Sequence, residues 1–276
     1  MAVKRRKKPT VAILYDFDNT LSTKDMQEYT FIPSVNMSAR EFWAESNRVA
    51  RTSKMDEILA YMYVMLRKAN AADKPITRKA FVGAGKKIKL FPGVKEWFGR
   101  INEYGKLHGV KVEHYIISSG LKEIIEGCEI KDEFKEIYAS EFHYNVNGVA
   151  DWPKLAINYT NKTQFLFRVN KGCLAINDDN ELNKSLPAEE RPVPFQNMIY
   201  IGDGMTDVPC MKIVKLNGGH SIAIYRTRKV QSVTQLIKDD RVNFVAKADY
   251  RANSELDKLV KDIIDQIASV AKLVGR

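Results

Sequence analysis

The sequence predicts an α/β fold around a mainly parallel sheet, and two observations carry that prediction. Four short, mainly apolar runs, typical of strands buried on both faces, occur at residues 11–15, 112–117, 198–201 and 221–225. Helical patterns separate these runs, and such alternation is typical of a parallel sheet covered by helices. At 276 residues, the chain is long enough for one large core and a second, smaller unit.

Helices are expected between and after these strands. Apolar residues at helical spacing predict them over residues 94–107, 121–127, 207–216 and 254–273. Asn147-Gly148 predicts a type I′ hairpin turn within residues 139–159. The polar, proline-containing stretch 177–196 predicts a long surface loop.

Residues 21–90 interrupt the alternation and contain almost no glycine before Gly83. Three helical patterns occur there, at residues 38–53, 55–68 and 77–87. We therefore predict a helical insertion after the first strand, with Pro92-Gly93 marking the return to the sheet. The predicted division is a basic flexible tail (1–10), an α/β core (11–20 and 91–276) and the helical insertion (21–90).

The net charge of +10 is concentrated near the N-terminus, because five basic residues occupy positions 4–8. Half of the excess charge therefore belongs to a segment that we interpret as a solvated tail. A nucleic-acid-binding arm is the alternative interpretation of the same run.

Several protein classes are not expected. No stretch approaches the roughly twenty apolar residues of a membrane-spanning helix, so no membrane partner is predicted. Cys128, Cys173 and Cys210 are widely spaced, which makes a disulfide framework or a cysteine zinc site improbable and predicts a reducing, cytoplasmic location.

Pairs of carboxylates follow two of the predicted strands. Asp16 and Asp18 come directly after residues 11–15, and positions i and i+2 of an extended chain face the same way. Asp203 and Asp207 follow residues 198–201. A solvated turn explains the first pair equally well if it is considered alone, and a helix N-cap explains Asp207.

Taken together, however, these acids would repel one another at the carboxyl edge of a sheet, where ligands bind in open α/β folds. An oxygen-only set without nearby His or Cys suits Mg²⁺.

Two further motifs suit a phosphate oxygen. Ser118-Ser119-Gly120 ends a strand and offers hydroxyl and N–H groups where a helix begins, although helix capping is an alternative role for the serines. Lys162 stands at the start of a helical pattern, where its positive charge is unfavourable beside the positive end of the helix dipole. This position indicates a role other than helix stabilisation. Taken alone, it reads as a surface lysine.

The order of these motifs, DFDNT, a strand ending in serine, a lysine and then GDGMTD, resembles the haloacid-dehalogenase superfamily of phosphohydrolases. The resemblance covers residues 11 to about 225 and implies a Rossmann-like three-layer α/β/α core. The insertion is similar to the C1-type helical cap of phosphoserine-phosphatase-like members, which would close over the site and supply the leaving-group pocket.

The resemblance also implies roles for the matching residues. Asp16 would be the nucleophile that forms an aspartyl-phosphate, and Asp18 the general acid and then base. Mg²⁺ would be held by the Asp16 carboxylate, the Asp18 main-chain carbonyl and Asp203, with Asp207 acting through water or as an orienting group. The expected phosphate-binding residues are Thr20, Ser118, Ser119, Gly120 and Lys162.

The predicted function is Mg²⁺-dependent hydrolysis of a small phosphorylated metabolite, in which the acid at Asp18 favours phosphate esters over carbon–halogen bonds. A nucleic-acid-associated phosphatase or binding protein is the main alternative, motivated by the charge alone. A phosphomutase and a catalytically silent binding module are the others. Glu28, early in the insertion, is a further candidate for contact with a substrate amine.

Overall fold

A computed structural model describes residues 8–226 and 230–274, and its centre is a seven-stranded sheet in the order β4-β3-β2-β1-β5-β6-β7. The strands are β1 (Thr10–Tyr15), β2 (Lys111–Leu121), β3 (Glu136–Tyr144), β4 (Ala150–Leu155), β5 (Met198–Gly202), β6 (His220–Tyr225) and β7 (Phe244–Lys247). Every neighbouring pair is parallel except β3 and β4. The predicted α/β class and mainly parallel sheet are therefore confirmed.

Eleven α-helices lie in the described part of the chain. They are α1 (Phe31–Ser34), α2 (Ala39–Ser53), α3 (Glu57–Ala71), α4 (Arg78–Gly85), α5 (Val94–Leu107), α6 (Lys122–Glu126), α7 (Lys162–Lys171), α8 (Asp179–Asn183), α9 (Val208–Leu216), α10 (Val230–Lys238) and α11 (Glu255–Val274). The helices expected from the sequence are α2 to α7, α9 and α11. None of the helices among the described residues is both long and apolar enough to span a bilayer.

Apolar side chains cover both faces of the sheet. Along β1, Val11, Ile13 and Tyr15 belong to one buried cluster, while Ala12 and Leu14 belong to the cluster on the opposite face. This alternation is what a parallel strand buried on both sides requires. Helices α5 and α11 contribute to the first cluster and α7 and α9 to the second, which gives the predicted three-layer α/β/α core.

The hairpin between β3 and β4 was predicted correctly, but its turn type was not. A type I′ turn needs positive φ at both central residues. Here Gly148 has φ +70°, whereas Asn147 does not have positive φ. The Gly148 N–H donates to the Asn145 carbonyl (2.8 Å), so a turn over residues 145–148 ends on a left-handed glycine.

The stretch 177–196 is not a structureless loop, because it contains α8. Arg168, on α7, is buried and holds the start of this stretch. Its guanidinium donates to the carbonyls of Ala175 (2.6 Å) and Ile176 (2.8 Å) and to Asp179 Oδ1 (2.7 Å). These contacts order a segment whose composition alone indicates a loop.

Residues 21–90 contain α1 to α4 and leave and rejoin the sheet at one place. Ser22 and Leu90 form an antiparallel bridge, and the Phe91 N–H donates to the Leu21 carbonyl (2.9 Å). The insertion also contacts the hairpin, since the Ala150 N–H donates to the Ile76 carbonyl (2.8 Å). Of the predicted tail, residues 1–7 lie outside the described residues, and Thr10 already belongs to β1.

Candidate active site

Asp16 lies where β1 leaves the sheet. Its backbone N–H donates to the Ile201 carbonyl on β5 (3.0 Å), which fixes the residue between two strands, and its side chain is 6% exposed. The chain then turns tightly, because the N–H groups of Leu21 and Ser22 both bond to the Phe17 carbonyl. The expected convergence is observed, since Asp16 and Asp18 line one cavity.

Lys162 is the first residue of α7, and it is not a surface lysine. Its side chain has no exposed surface, and its Nζ lies 3.0 Å from Asp16 Oδ1 and 2.7 Å from Asp207 Oδ1. Burial disfavours the charge, but the two carboxylates outweigh that effect and hold the pKa of Lys162 above its usual range. The lysine therefore stays cationic beside Asp16.

Asp207 does not act as a helix cap through its side chain, because no such bond to α9 is formed. Its Oδ1 instead accepts from Lys162 and from the Tyr200 hydroxyl (2.8 Å), and its Oδ2 from the Gly204 N–H (3.3 Å). A Cβ atom at position 202 would lie 2.5 Å from that same Oδ2, so the glycine of the motif makes room for this carboxylate. Asp207 is thus an orienting group for Lys162.

Three carboxylates form a compact acidic cluster at the edge of the sheet. Oxygen atoms of Asp16, Asp203 and Asp207 all lie within 4.8 Å of one another. Burial raises the pKa of Asp16 to about 7 despite Lys162, and burial together with the charge of Asp16 raises the pKa of Asp203 to about 8. Crowded acids of this kind, with oxygen ligands only, fit a hard divalent cation such as Mg²⁺.

The carboxylate of Asp18 is not part of that cluster. Its Oδ1 accepts from the Met26 N–H (2.8 Å) and the Ser22 hydroxyl (3.4 Å). Burial, and then the charge of Asp25, raise its pKa well above the usual range. A Cβ at position 120 would lie 2.7 Å from Asp18 Oδ2, so Gly120 allows β2 to pass close to this acid. The raised pKa suits a group that must hand over a proton.

The serine segment lies at the end of β2, in the wall of the same cavity. Ser118 is fully buried, and its Oγ accepts from the Gly120 N–H (3.0 Å). Helix α6 begins after Leu121 without a side-chain cap, so capping is not the role of these serines. The Ser119 Oγ is buried and has no hydrogen-bond partner in the described part of the chain, whereas the Ser119 carbonyl accepts from the Tyr61 hydroxyl (2.7 Å).

Thr20 departs from the expected phosphate-binding set. It is fully buried behind the turn and does not line the cavity. Its carbonyl accepts from the Tyr250 hydroxyl (3.0 Å), which ties the turn to the segment before α11. Direct phosphate contact by Thr20 is therefore not supported.

The cavity has a volume of about 340 Å³ and is bounded by both the core and the insertion. The insertion contributes Asp25, Gln27, Trp43, Ser46, Asn47, Glu57, Ile58 and Tyr61. Two of these lining residues are aromatic, Trp43 and Tyr61, whereas Phe31 and Phe42 pack in the hydrophobic core. The polar lining residues carry no motif, so no signal in the sequence could have selected them.

Glu28 does not line the cavity, so the amine contact considered for it is not supported. Its Oε1 accepts from the indole Nε1 of Trp43 at 3.4 Å. The Trp43 ring meets Tyr61 edge-on, with centroids 5.9 Å apart. Glu28 therefore orients a lining residue.

Comparison with known proteins identifies a family and several structures of similar fold. The sequence model of the haloacid dehalogenase-like hydrolases matches residues 13–212. An uncharacterized protein of Borreliella burgdorferi is 25% identical over 273 residues, which cover 89% of this chain and 93% of that protein.

Two solved structures share the fold. A HAD family hydrolase from Salmonella enterica serovar Typhi superposes with a TM-score of 0.58 at 19% identity, covering 94% of this chain and 73% of that chain. A probable phosphoserine phosphatase from Vibrio cholerae superposes with a TM-score of 0.59 at 15% identity, covering 96% of this chain and 67% of that chain. At these identities the likeness concerns the fold.

Proposed function

Because this chain belongs to the family of haloacid dehalogenase-like hydrolases, we propose that it is a phosphatase that hydrolyses phosphate monoesters of small metabolites. One observation carries the proposal. Lys162 binds the Asp16 carboxylate inside the protein, while Asp18, in the same cavity, is held by Met26 and Ser22 with a raised pKa. The site thus places one carboxylate against a buried cation, which favours its ionised form, and a second acid with a raised pKa in the same cavity.

In the first step, a carboxylate oxygen of Asp16 attacks phosphorus and the bond to the leaving oxygen breaks. Asp18 donates its proton to that oxygen, so the leaving group departs as a neutral alcohol. Lys162 lies 3.0 Å from Asp16 Oδ1, and its positive charge offsets the repulsion between this nucleophile and an anionic phosphate.

In the second step, water attacks the phosphorus of the aspartyl-phosphate. Asp18, now ionised, accepts a proton from that water, and the bond between phosphorus and Asp16 breaks to release inorganic phosphate. Asp18 is thereby returned to its protonated state. Asp207 and Tyr200 keep Lys162 in place throughout, because both are buried and hydrogen-bonded to each other (2.8 Å).

Mg²⁺ fits the acidic cluster, and Asp16 and Asp203 would hold it through their carboxylates. The family resemblance adds the main-chain carbonyl of Asp18, and Asp207 would orient the set from behind. When bound, the ion supplies positive charge that neutralises the phosphoryl oxygens. Ser118, Ser119, Gly120 and Lys162 are the proposed phosphate-binding residues.

The size of the cavity favours a small substrate. A volume of about 340 Å³, closed on one side by the insertion, suits a single small molecule better than a polynucleotide end. This observation supports the proposal that residues 21–90 act as a cap, and it gives the nucleic-acid alternative no structural support. The three cysteines are unpaired, in keeping with the reducing cytoplasm proposed as its location.

The test is release of phosphate from para-nitrophenyl phosphate by the full chain. We expect Mg²⁺-dependent hydrolysis that EDTA abolishes and that Asp16→Asn lowers by several orders of magnitude. Asp132→Asn is the matched control, because its side chain is 88% exposed and lies outside the cavity. Equal rates for the Asp16 variant and the unaltered protein, or rates indifferent to EDTA, would contradict the proposal.

A further inference from the structure

The residues of the insertion that line the cavity indicate which kind of leaving group the site accepts. We propose that this phosphatase selects monoesters of an uncharged, polyhydroxylated alcohol, as in a sugar or polyol phosphate, and that Gln27, Ser46 and Trp43 determine this specificity. The inference rests on the proposed function and deepens it.

The charge of the cavity argues against an anionic leaving group. Among the described residues that line it, Lys162 is the only cation, and it is already paired with Asp16 and Asp207. Of the described residues, the insertion contributes Asp25 and Glu57 to the lining but no arginine or lysine. A substrate carboxylate or second phosphate would therefore be desolvated there without a partner, at a large cost.

Two buried polar residues of the insertion line the cavity, and each has an oxygen atom without a partner among the described residues. Gln27 is 2% exposed and Ser46 is 3% exposed, and both line the cavity. The Gln27 Oε1 and the Ser46 Oγ make no hydrogen bond with any residue that the structure describes. Buried polar atoms are nearly always satisfied, and because these two belong to residues that line the cavity, a ligand bound there is the partner we propose for them.

Hydroxyl groups of a ligand match both positions. An alcohol can donate to the Gln27 carbonyl oxygen, and it can donate to or accept from the Ser46 hydroxyl. The Ser119 Oγ, also without a partner among the described residues, belongs to the proposed phosphate-binding segment at the end of β2, which lines the same cavity. One ligand with hydroxyls beyond its ester oxygen can therefore satisfy polar groups of the insertion while its phosphate lies at Asp16.

Trp43 supplies an apolar surface beside these polar groups. Its indole N–H is directed to Glu28 (3.4 Å), and its ring is fixed edge-on against Phe42 and Tyr61. Tyr61 is itself anchored to the core through the Ser119 carbonyl. The indole therefore presents carbon atoms to the cavity, and the C–H face of a sugar or polyol can pack against them.

The first test compares kcat/KM of the full chain for a neutral panel (hexose 6-phosphate and glycerol phosphate) and a charged panel (O-phosphoserine and phosphoethanolamine). We expect the best neutral ester to exceed both charged esters by at least tenfold. A charged ester that equals or exceeds the neutral panel would overturn the inference. If the chain hydrolyses neither panel nor para-nitrophenyl phosphate, the proposed function itself fails.

The second test measures how substitutions change the ratio of kcat/KM for the best neutral ester to that for para-nitrophenyl phosphate. This ratio does not depend on how much of a variant folds. We expect Gln27→Met and Ser46→Ala each to lower it at least tenfold. The controls Gln196→Met and Ser53→Ala, both exposed and outside the cavity, leave it unchanged. An unchanged ratio in both lining variants would overturn the inference while leaving the phosphatase proposal intact.

Discussion

Lys162 and Asp207 form an ion pair that is wholly enclosed: 2.7 Å separates Nζ from Oδ1, and neither side chain has exposed surface. The pair joins the start of α7 to the motif after β5, and through the second contact of Lys162 it reaches Asp16 after β1. Three separate motifs of the sequence are thus held together by one lysine. Its loss would leave two buried carboxylates without compensation.

Replacing this lysine is expected to affect stability as well as activity. We expect Lys162→Met to lower the free energy of unfolding by about 3–5 kcal/mol, the usual effect of breaking a buried pair. Adding Asp207→Asn should recover part of the lost free energy of unfolding, because it removes one of the two carboxylates left unpaired. Urea unfolding of the two single variants and the double variant checks this coupling. Strictly additive losses would show that the two residues do not act as a pair.

Asp18→Asn separates the two chemical steps. The variant retains Asp16 but cannot deprotonate the attacking water, so turnover should fall by about 10²–10⁴-fold. A para-nitrophenolate leaving group needs no proton, so the first step should survive and release a burst of about one equivalent per active site. Stopped-flow absorbance measures this burst. Its absence, with both steps slowed equally, would argue against Asp18 as the base.

The burial of His114 leads us to expect that the free energy of unfolding decreases at low pH. The residue is 2% exposed, and burial lowers its pKa to about 3. Its Nδ1 lies 3.0 Å from the Tyr15 hydroxyl and its Nε2 3.0 Å from Asn102 Oδ1. A neutral ring satisfies both partners, since the Trp97 indole already donates to Tyr15.

The sign of the effect follows from proton uptake. In the unfolded chain this histidine binds a proton below about pH 6.5, whereas in the folded chain it stays neutral down to about pH 3. Stability due to His114 is therefore present above pH 6.5 and is lost as the pH falls, by up to about 1.4 kcal/mol per unit. Between pH 7 and pH 4, the free energy of unfolding should therefore fall less steeply in His114→Gln than in the unaltered protein. His143→Gln, at an exposed hairpin position, serves as the control, and equal slopes would contradict the prediction.

The contact between α4 and α6 depends on glycine. A Cβ at position 127 would lie 1.8 Å from the Val82 carbonyl oxygen, so Gly127 lets the insertion approach the core. We expect Gly127→Ala to lower the free energy of unfolding by about 1–3 kcal/mol through overpacking. Gly99→Ala, within α5, should be neutral or stabilising, because no atom of the described residues lies within 4 Å of the new methyl group. Equal thermal midpoints for the two variants would contradict this assignment.

Much of the core could be predicted from local patterns. The strands at residues 11–15 and 198–201, and the helix over 94–107, lie within one residue of their observed bounds. Strand β7 and helix α10 received no prediction, and the turn at Gly148 was assigned the wrong type. Such details depend on neighbouring strands and on backbone twist, which a short window of residues does not contain.

The sequence by itself determined the α/β class and the positions of the acids, because hydrophobic periodicity and the ends of buried strands are local properties. It also determined the family, through four motifs in order. Only the tertiary structure decided that Lys162 is buried between Asp16 and Asp207, which are distant from it in the chain. It likewise decided that Gln27 and Ser46 face the cavity and Thr20 does not. Which side of an inserted segment meets the core depends on long-range packing, and no spacing of residues along the chain encodes it.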